Sequence, residues 1–385
     1  MKNIAILGST GSIGSSALKV INDFPGEFRV RAVSANSNIG LLLRQIKKFR
    51  PRFACVNDPL EALKLKSLAS LGTKVLAGAD GLKVIVQDRE IDLVLLAISG
   101  SSALGSLLDA IDAGKDVCLA NKEALVMAGP IIMKKAARKK VKIIPIDSEQ
   151  SAIWQCLEGE EKQKLKSIYL TASGGPFRKA RSADLKKVTI KHVLNHPRWR
   201  MGKKITVDSA SLMNKGLELI EAMYLFGVTP DRIKVLVHPE AIIHSMVEFI
   251  DGVVVAQLSV TDMRIPIQYA LSYPERLPNR LKGVDFIKVG SLNFENPDYK
   301  RFPCLKLAYR AARESGTSPC ILNAANEISV DEFLKGRLSF ADIPGVISRV
   351  MSRHRNISSP GLEDIREKDA WARREAIAVI KMKGK

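Results

Sequence analysis

The sequence predicts an α/β protein with an amino-terminal doubly wound (Rossmann-type) parallel sheet, a central α+β domain and a carboxyl-terminal helical domain. Short apolar runs alternate with helical patterns from residue 1 to about residue 147, which is typical of a parallel sheet covered on both faces. A mixed strand and helix pattern follows, and the residues after about 300 carry helical patterns. At 385 residues, the chain is long enough for about two or three domains.

The first domain, residues 1–150, contains seven runs that read as strands. Most are continuously apolar, as expected for strands buried on both faces. In such a sheet, ligands bind at the carboxyl ends of the strands. The seven predicted strands are KNIAIL, FRVRAVSA, RFACV, TKVLA, DLVLLAIS, DVCLA and VKIIPI.

The pattern changes in the second domain, which we predict over residues 151–273. SIYLTASGGPF reads as a strand that runs into a glycine turn, and VDSASLMNKGLELIEAMYLFG reads as one amphipathic helix. SMVEFIDGVVVAQLSV is typical of a hairpin that turns at Asp251-Gly252. A proline-rich linker is predicted at 274–299, and a helical domain at 300–385.

The composition, 46% hydrophobic and 26% charged, is that of an ordinary soluble globular protein. No apolar run reaches the roughly 20 residues of a membrane helix, so we expect no membrane association. A strand begins almost at Met1, which leaves no room for a leader peptide and favours a cytoplasmic location. The five cysteines are scattered without metal-ligand or redox spacing, so we expect free, mostly buried thiols.

The net charge of +20 is compatible with nucleic acid, an anionic surface or an anionic small molecule as partner. Lysines and arginines interleave with apolar residues, as in MKKAARKKVK at 133–142, which is typical of a solvated helix face. The sequence lacks a zinc knuckle, an RNA-binding sheet signature and a continuous basic arm. We therefore expect no nucleic-acid partner, although a nucleic-acid-binding protein with a vestigial glycine loop stays open as an alternative.

The glycine-rich segment ILGSTGSIG follows the first predicted strand and opens a helix. Its glycines, Gly8, Gly11 and Gly14, allow a tight turn and the close approach of a pyrophosphate to the helix amino terminus. We therefore predict dinucleotide binding. The second strand ends in VSANSN, without the carboxylate that would bind a free ribose 2′-hydroxyl, and this favours NADP over NAD.

Acidic residues occur at two places where a cation could bind. Asp147 and Glu149 follow an apolar strand in PIDSEQSAIWQCL. On the amphipathic helix predicted for VDSASLMNKGLELIEAMYLFG, Glu218 lies four residues after Asn214 and three after Lys215. These three side chains can therefore share one face. Three acids are suitable oxygen ligands for Mg²⁺ or Mn²⁺. The spacing alone does not show that Glu218 meets the other two, and a plain dehydrogenase without a metal stays open.

Seven motifs resemble those of the 1-deoxy-D-xylulose 5-phosphate reductoisomerase family, in order along nearly the whole chain. That resemblance implies an NADPH- and divalent-metal-dependent conversion of 1-deoxy-D-xylulose 5-phosphate to 2-C-methyl-D-erythritol 4-phosphate, in the non-mevalonate route to isoprenoid precursors. It also implies a homodimer and a catalytic role for the α+β domain. The motifs are GSTGSIG, LANKEALV, IDSEQSAIWQCL, LTASGGPFR, NHPRWRMGKKITVDSASLMNKGLELIEA, VHPEAIIHSMVEFIDG and NAANEISVDEFL.

The resemblance implies roles for particular residues. The metal, Mg²⁺ or Mn²⁺ with Co²⁺ as an alternative, would be held by Asp147, Glu149 and Glu218. The phosphorylated, sugar-like substrate would contact Lys122, Ser148, Glu149, Ser173, His196, Ser209, Asn214, Lys215 and Glu218. NADPH would contact Thr10, Gly11, Ser12, Ile13, Asn36, Ser37, Asn38, Asn121, Glu123 and Gly202.

Four residues are implied as catalytic: Glu149, Lys122, His196 and Trp199. Trp199 would belong to a mobile lid at about residues 195–203 that covers the reacting groups. A closed lid excludes water and strengthens electrostatic interactions inside the site. The position after His196-Pro197 is usually Asn or Thr in the family, whereas this chain has Arg198.

Overall fold

The computed structural model describes residues 1–68, 72–185, 187–195 and 202–383. The chain forms two compact units. The first unit comprises Met1–Ala124, Ile132–Ser151 and Asp262–Arg280, and the second comprises Leu125–Ile131, Ala152–Thr261 and Leu281–Lys385. The first unit thus contains the predicted sheet domain apart from residues 125–131, together with residues 262–280. The predicted domain boundaries at 150, 273 and 299 stay a prediction.

A seven-stranded sheet forms the first unit, in the order β4-β3-β2-β1-β5-β6-β7. All six strand pairs are parallel, so every carboxyl end lies at one edge. The prediction of seven strands and a doubly wound sheet is confirmed. The strands are β1 (Lys2–Leu7), β2 (Phe28–Ala35), β3 (Phe53–Val56), β4 (Lys74–Ala77), β5 (Leu93–Leu96), β6 (Asp116–Leu119) and β7 (Ile143–Pro145).

Helices connect these strands and bury their apolar faces on the sheet. The helices that begin in this unit are α1 (Ser12–Asp23), α2 (Ile39–Phe49), α3 (Pro59–Leu68), α4 (Gly78–Gln87), α5 (Ala103–Asp112), α6 (Lys122–Lys139), α7 (Ser148–Cys156) and α12 (Arg264–Ser272). One core cluster joins β1 and β2 to α1, α2 and α12 through residues such as Ile4, Leu42 and Ile267. The return of α12 to this core explains why residues 262–280 belong to the first unit.

A four-stranded mixed sheet, in the order β11-β10-β8-β9, lies in the second unit. Its strands are β8 (Leu165–Ala172), β9 (Ile233–Val237), β10 (Ile243–Phe249) and β11 (Val254–Leu258). The antiparallel β10–β11 pair confirms the predicted hairpin. Gly252 at its tip has φ +87°, a conformation that favours glycine, and the Val253 amide donates to Asp251 Oδ1 at 3.0 Å.

The other helices belong to the second unit, and those after residue 300 confirm the predicted helical region. They are α8 (Ser182–Leu185), α9 (Ile190–Leu194), α10 (Lys203–Ala210), α11 (Met213–Phe226), α13 (Phe286–Val289), α14 (Pro303–Glu314), α15 (Ser318–Leu334), α16 (Ile343–Arg353) and α17 (Leu362–Lys383). Among the described residues, no helix has both the length and the apolar character needed to cross a membrane.

The prediction of one amphipathic helix over VDSASLMNKGLELIEAMYLFG is wrong. The segment breaks between α10 and α11, where Leu212 has φ +58°. The Ser211 hydroxyl donates to the Asp208 carbonyl at 3.2 Å and accepts from the Met213 amide at 3.4 Å. A serine hydroxyl that bonds backbone groups competes with the helical pattern. Helix α11 is also buried on nearly all sides, so its polar residues face the protein interior.

All five cysteines lie in the described part of the chain, as buried free thiols, and this prediction is confirmed. Burial raises the pKa of the Cys55 and Cys304 thiols to about 12. A thiol needs its thiolate form to act as a nucleophile or a metal ligand. Near neutral pH these two cysteines are therefore protonated thiols in the core.

Candidate active site

The glycine loop between β1 and α1 has the shape of a dinucleotide cradle. Gly8 has φ +90°, and a Cβ there would lie 2.6 Å from the Ala97 carbonyl oxygen, so only glycine fits. Gly14 is equally enclosed by the backbone of the loop. Gly11 caps α1 without a side-chain hydrogen bond, which leaves the amide groups of the first helical turn available to an anion.

Residues Asn36, Ser37 and Asn38 follow β2 at the same edge of the sheet and are exposed. Asn38 caps α2, because its Oδ1 accepts from the Leu41 amide at 3.1 Å. The loop presents amide and hydroxyl groups and contains no carboxylate. A ribose 2′-phosphate would therefore meet hydrogen-bond donors here and no like charge.

Asn121 and Glu123 lie at the start of α6 and are buried. The Asn121 amide nitrogen donates to the carbonyls of Ile98 and Gly100, both at 2.9 Å, and to Glu123 Oε2 at 3.0 Å. Its Oδ1 accepts from the Ala124 amide at 2.8 Å. Asn121 thus joins the loop after β5 to the first turn of α6. The start of α6 is therefore buried and hydrogen-bonded within the protein.

Lys122 and Asp147 form a buried ion pair in the first unit. The Lys122 Nζ and Asp147 Oδ2 atoms are 2.5 Å apart, and the lysine is 5% exposed. Ser148, the first residue of α7, donates from Oγ to Glu149 Oε2 at 2.6 Å. Asp147 and Glu149 thus carry two negative charges, and Lys122 supplies one positive charge. Such an arrangement favours the binding of a further cation.

Glu218 is fully buried (0% exposed) on α11, and the neighbouring Lys215 is 3% exposed. The Lys215 ammonium group donates to Glu218 Oε2, and the Asn214 amide donates to Glu218 Oε1. The predicted sharing of one helical face is confirmed. Because both charges are out of water, each is stable only with a partner of opposite sign.

Ser173 and Ser209 belong to two backbone segments that touch in the second unit. The turn after β8 has φ +83° at Gly174 and +66° at Gly175. A Cβ at Gly175 would lie 2.8 Å from the Ser209 carbonyl oxygen, so a side chain there would separate the segments. The Gly175 amide donates to Ser173 Oγ at 3.4 Å. Both serines are half-buried.

A buried acid that the sequence analysis missed, Asp208, lies next to Ser209. Its Oδ2 pairs with Lys204 Nζ at 2.8 Å, and its Oδ1 accepts from the Asn326 amide of α15 at 2.9 Å. The only sequence signal was its position in the quoted motif ITVDSAS. Asp208 thereby ties α10 to the helices after residue 300.

Of the predicted lid at about residues 195–203, the structure describes residues 195, 202 and 203. Gly202 caps α10, and its carbonyl accepts from Thr206 Oγ1 at 2.8 Å. His196 and Trp199 lie outside the described residues, as does Arg198. Their predicted roles stay predictions.

The first unit carries a dinucleotide cradle on a parallel sheet. The second unit contains buried acid, amide and ammonium groups. Together these features are typical of a nucleotide-dependent oxidoreductase with a polar substrate. Comparison with known proteins makes this class specific. Residues 4–129 match the family 1-deoxy-D-xylulose 5-phosphate reductoisomerase. Residues 143–226 and 258–375 match two carboxyl-terminal domain families of the same enzyme.

Relatives match over almost the whole chain. The reductoisomerase of Pelotomaculum thermopropionicum is 49% identical over 99% of both chains, and that of Endomicrobium trichonymphae is 48% identical over 99% of both. A crystal structure of a reductoisomerase with NADPH, fosmidomycin and magnesium has a TM-score of 0.93, 40% identity and full coverage of both chains. The structure of the Zymomonas mobilis enzyme with NADPH has a TM-score of 0.91 and 38% identity, and the match covers 98% of this chain and 99% of that chain. The chain belongs to the 1-deoxy-D-xylulose 5-phosphate reductoisomerase family, and the predicted family is confirmed.

Proposed function

We propose that this chain converts 1-deoxy-D-xylulose 5-phosphate to 2-C-methyl-D-erythritol 4-phosphate, with NADPH as reductant and Mg²⁺ or Mn²⁺ as metal, in non-mevalonate isoprenoid precursor biosynthesis. The observation that carries the proposal is 49% identity over 99% of the chain to a reductoisomerase. The predicted activity and cofactors agree with solved relatives that contain NADPH and magnesium.

Asp147, Glu149 and Glu218 are proposed as the metal ligands. The donor set fits, because carboxylate oxygens are the ligands that Mg²⁺ and Mn²⁺ prefer. In each unit a lysine forms an ion pair with an acidic residue of this set: Lys122 with Asp147, and Lys215 with Glu218. A bound divalent cation supplies Lewis-acid polarisation of the substrate carbonyl.

NADPH is proposed to bind along the carboxyl edge of the first sheet. The enclosed Gly8, the open amide groups at the start of α1 and the carboxylate-free loop Asn36–Asn38 fit its pyrophosphate and 2′-phosphate. Bound NADPH supplies the hydride that reduces the rearranged aldehyde. Asn121 and Glu123, fixed at the start of α6, are proposed to complete this site.

The substrate is proposed to bind by its two ends. Ser173, Ser209, Asn214 and Lys215 offer hydroxyl, amide and ammonium donors to a phosphate dianion. Fixing that end restricts the reacting carbons to one orientation. At the other end, Lys122 and Ser148 donate to the substrate oxygens and Glu149 accepts. His196 and Trp199 are proposed to close over the bound substrate and to exclude water.

The expected result of a spectrophotometric assay is NADPH oxidation only when 1-deoxy-D-xylulose 5-phosphate and Mg²⁺ or Mn²⁺ are both present. A chelator should stop the reaction, and excess cation should restore it, because the carboxylates alone cannot polarise the carbonyl. The control omits substrate at full metal concentration. Oxidation that continues at the same rate in chelator would contradict the metal-dependent reaction.

A homodimer is also proposed, and strand β11 supplies a surface for it. Among the described strands β11 lies at an edge of the second sheet, where unpaired backbone groups can bind another strand. Four exposed apolar residues, Ile250, Val253, Val254 and Val255, lie in or beside β11. Exposed apolar groups beside a free edge favour pairing with a second copy.

We expect the double variant Ile250→Lys/Val254→Lys to be a monomer, because two like-charged side chains would face each other across the edge. Light scattering after size exclusion should give about twice the 42.3 kDa chain mass for the wild-type protein and the chain mass for the variant. Ile287, 92% exposed on α13, provides the control Ile287→Lys. A variant that stays dimeric would exclude β11 as the interface.

A further inference from the structure

A buried glutamine in the first unit bonds directly to the glycine loop. Gln45 of α2 is 6% exposed, between the core residues Leu42 and Ile46. Its Oε1 accepts from Ser9 Oγ at 2.6 Å, and its Nε2 donates to the Ser9 carbonyl at 2.9 Å. An amide side chain in an apolar face is costly to bury unless its hydrogen bonds are made. Both of its polar groups are used on one residue of the loop.

Ser34, the next-to-last residue of β2, holds the same loop from the other side. Its Oγ accepts from the Gly8 amide at 2.9 Å, and its carbonyl accepts from the Ser9 amide at 2.7 Å. Ser9 Oγ also lies 3.1 Å from the Ser34 carbonyl oxygen. Gly8 and Ser9 are thus fixed through backbone and side-chain atoms by two buried polar residues.

Helix α2 connects this network to the second cofactor loop. Asn38 caps the helix and closes the loop Asn36–Asn38, and Gln45 follows it by seven residues. Seven residues of helix rise about 10 Å, which is the length of α2 between the two loops. One rigid helix therefore connects the loop for the ribose 2′ position with the loop for the pyrophosphate.

We propose that Gln45 is a positioning residue for the dinucleotide, which holds the glycine loop in its binding conformation before the cofactor arrives. The proposal rests on the proposed NADPH site. A loop held in its bound conformation loses less entropy when a ligand binds, and this increases affinity. Gln45 does not face the ribose 2′ position, so it increases affinity for NADPH and NADH alike. Discrimination between them belongs to Asn36, Ser37 and Asn38.

The test compares Gln45→Met, which keeps length and volume but loses both hydrogen bonds, with the wild-type protein. We expect the dissociation constant for NADPH, from nucleotide fluorescence, to rise about tenfold, with an equal factor for NADH. At saturating NADPH, kcat should stay within about twofold while the KM for NADPH rises. Gln87→Met, at an exposed position at the end of α4, is the matched control and should bind as wild type.

A variant that loses thermal stability but keeps the wild-type dissociation constant would overturn the proposal, because Gln45 would then only stabilise the fold. Equal binding in Gln45→Met and Gln87→Met would overturn it too. If Gln45→Met does not fold, Ser34→Ala removes one loop hydrogen bond from the opposite side and should raise both dissociation constants several-fold. An unchanged Ser34→Ala would then decide against the proposal. Failure of the wild-type protein to bind NADPH would instead contradict the proposed function.

Discussion

Glu149→Gln is expected to lower kcat by on the order of a thousandfold or more, while NADPH binds with an unchanged dissociation constant. The substitution keeps the shape of the side chain but removes one negative charge from the proposed metal site and from the substrate's reacting end. Glu149 accepts from Ser148 at 2.6 Å, so the change also alters the orientation of that hydroxyl. Steady-state kinetics at saturating metal and a separate NADPH titration measure the two quantities.

The matched control for this change is Glu160→Gln, at an exposed position beyond α7, which should leave kcat unchanged. Recovery of the Glu149→Gln rate at higher metal concentration would show weakened metal binding with the chemistry preserved. Full activity of Glu149→Gln at low metal would exclude Glu149 from the site.

Lys215→Met is expected to have the largest effect on stability. Lys215 is 3% exposed and donates to Glu218, which is fully buried. Breaking a buried ion pair by removing one partner costs about 3–5 kcal/mol of the free energy of unfolding. The double variant Lys215→Met/Glu218→Gln should recover part of that loss, because its buried carboxylate is gone too. Urea denaturation of both variants measures the difference.

Lys288→Met is the control for this pair. Lys288 also pairs with an acid three residues away, Asp285, at 3.1 Å, but both side chains are exposed. Exposed pairs contribute little, so urea denaturation should show no measurable change. If the Lys215→Met protein unfolded at the wild-type urea concentration, the buried pair would carry no stability. If the double variant were less stable than Lys215→Met, the buried charge would not be the cause.

Much of the fold follows from local sequence, because a buried parallel sheet requires continuous apolar runs. Segments such as DLVLLAIS have the continuous apolar character typical of strands buried on both faces. The glycines of ILGSTGSIG are typical of a turn with tight backbone contacts. Each of these features is determined by a few neighbouring residues, and each was predicted from the sequence. The Asp251-Gly252 hairpin belongs to the same class.

Features set by distant contacts could not be predicted in this way. The break at Leu212 depends on a serine hydroxyl that bonds to Asp208 and Met213, and serine is also common in helices that continue. The burial of Lys122 depends on Asp147, 25 positions further along the chain. The local sequence around Lys122 alone is typical of a solvated helix start.

Polar residues with buried partners were the main omission among the candidate residues. Asp208 and Gln45 bond to Asn326 and Ser9, at separations where spacing rules give no signal. A polar residue inside an apolar helix face was the available indication for Gln45. The joint role of Asp147, Glu149 and Glu218 likewise came from the family resemblance, since helical spacing connects Glu218 only to its neighbours on α11.

The most direct measurement is the identity of the product, determined by carbon NMR after NADPH has been consumed. We expect one branched 2-C-methyl-D-erythritol 4-phosphate for each NADPH oxidised, and none without a divalent cation. A rearrangement before reduction requires a polarised carbonyl, which the proposed carboxylate site provides through its metal. A linear 1-deoxypentitol 5-phosphate, formed equally well in chelator, would show simple reduction without rearrangement and would contradict the proposed function.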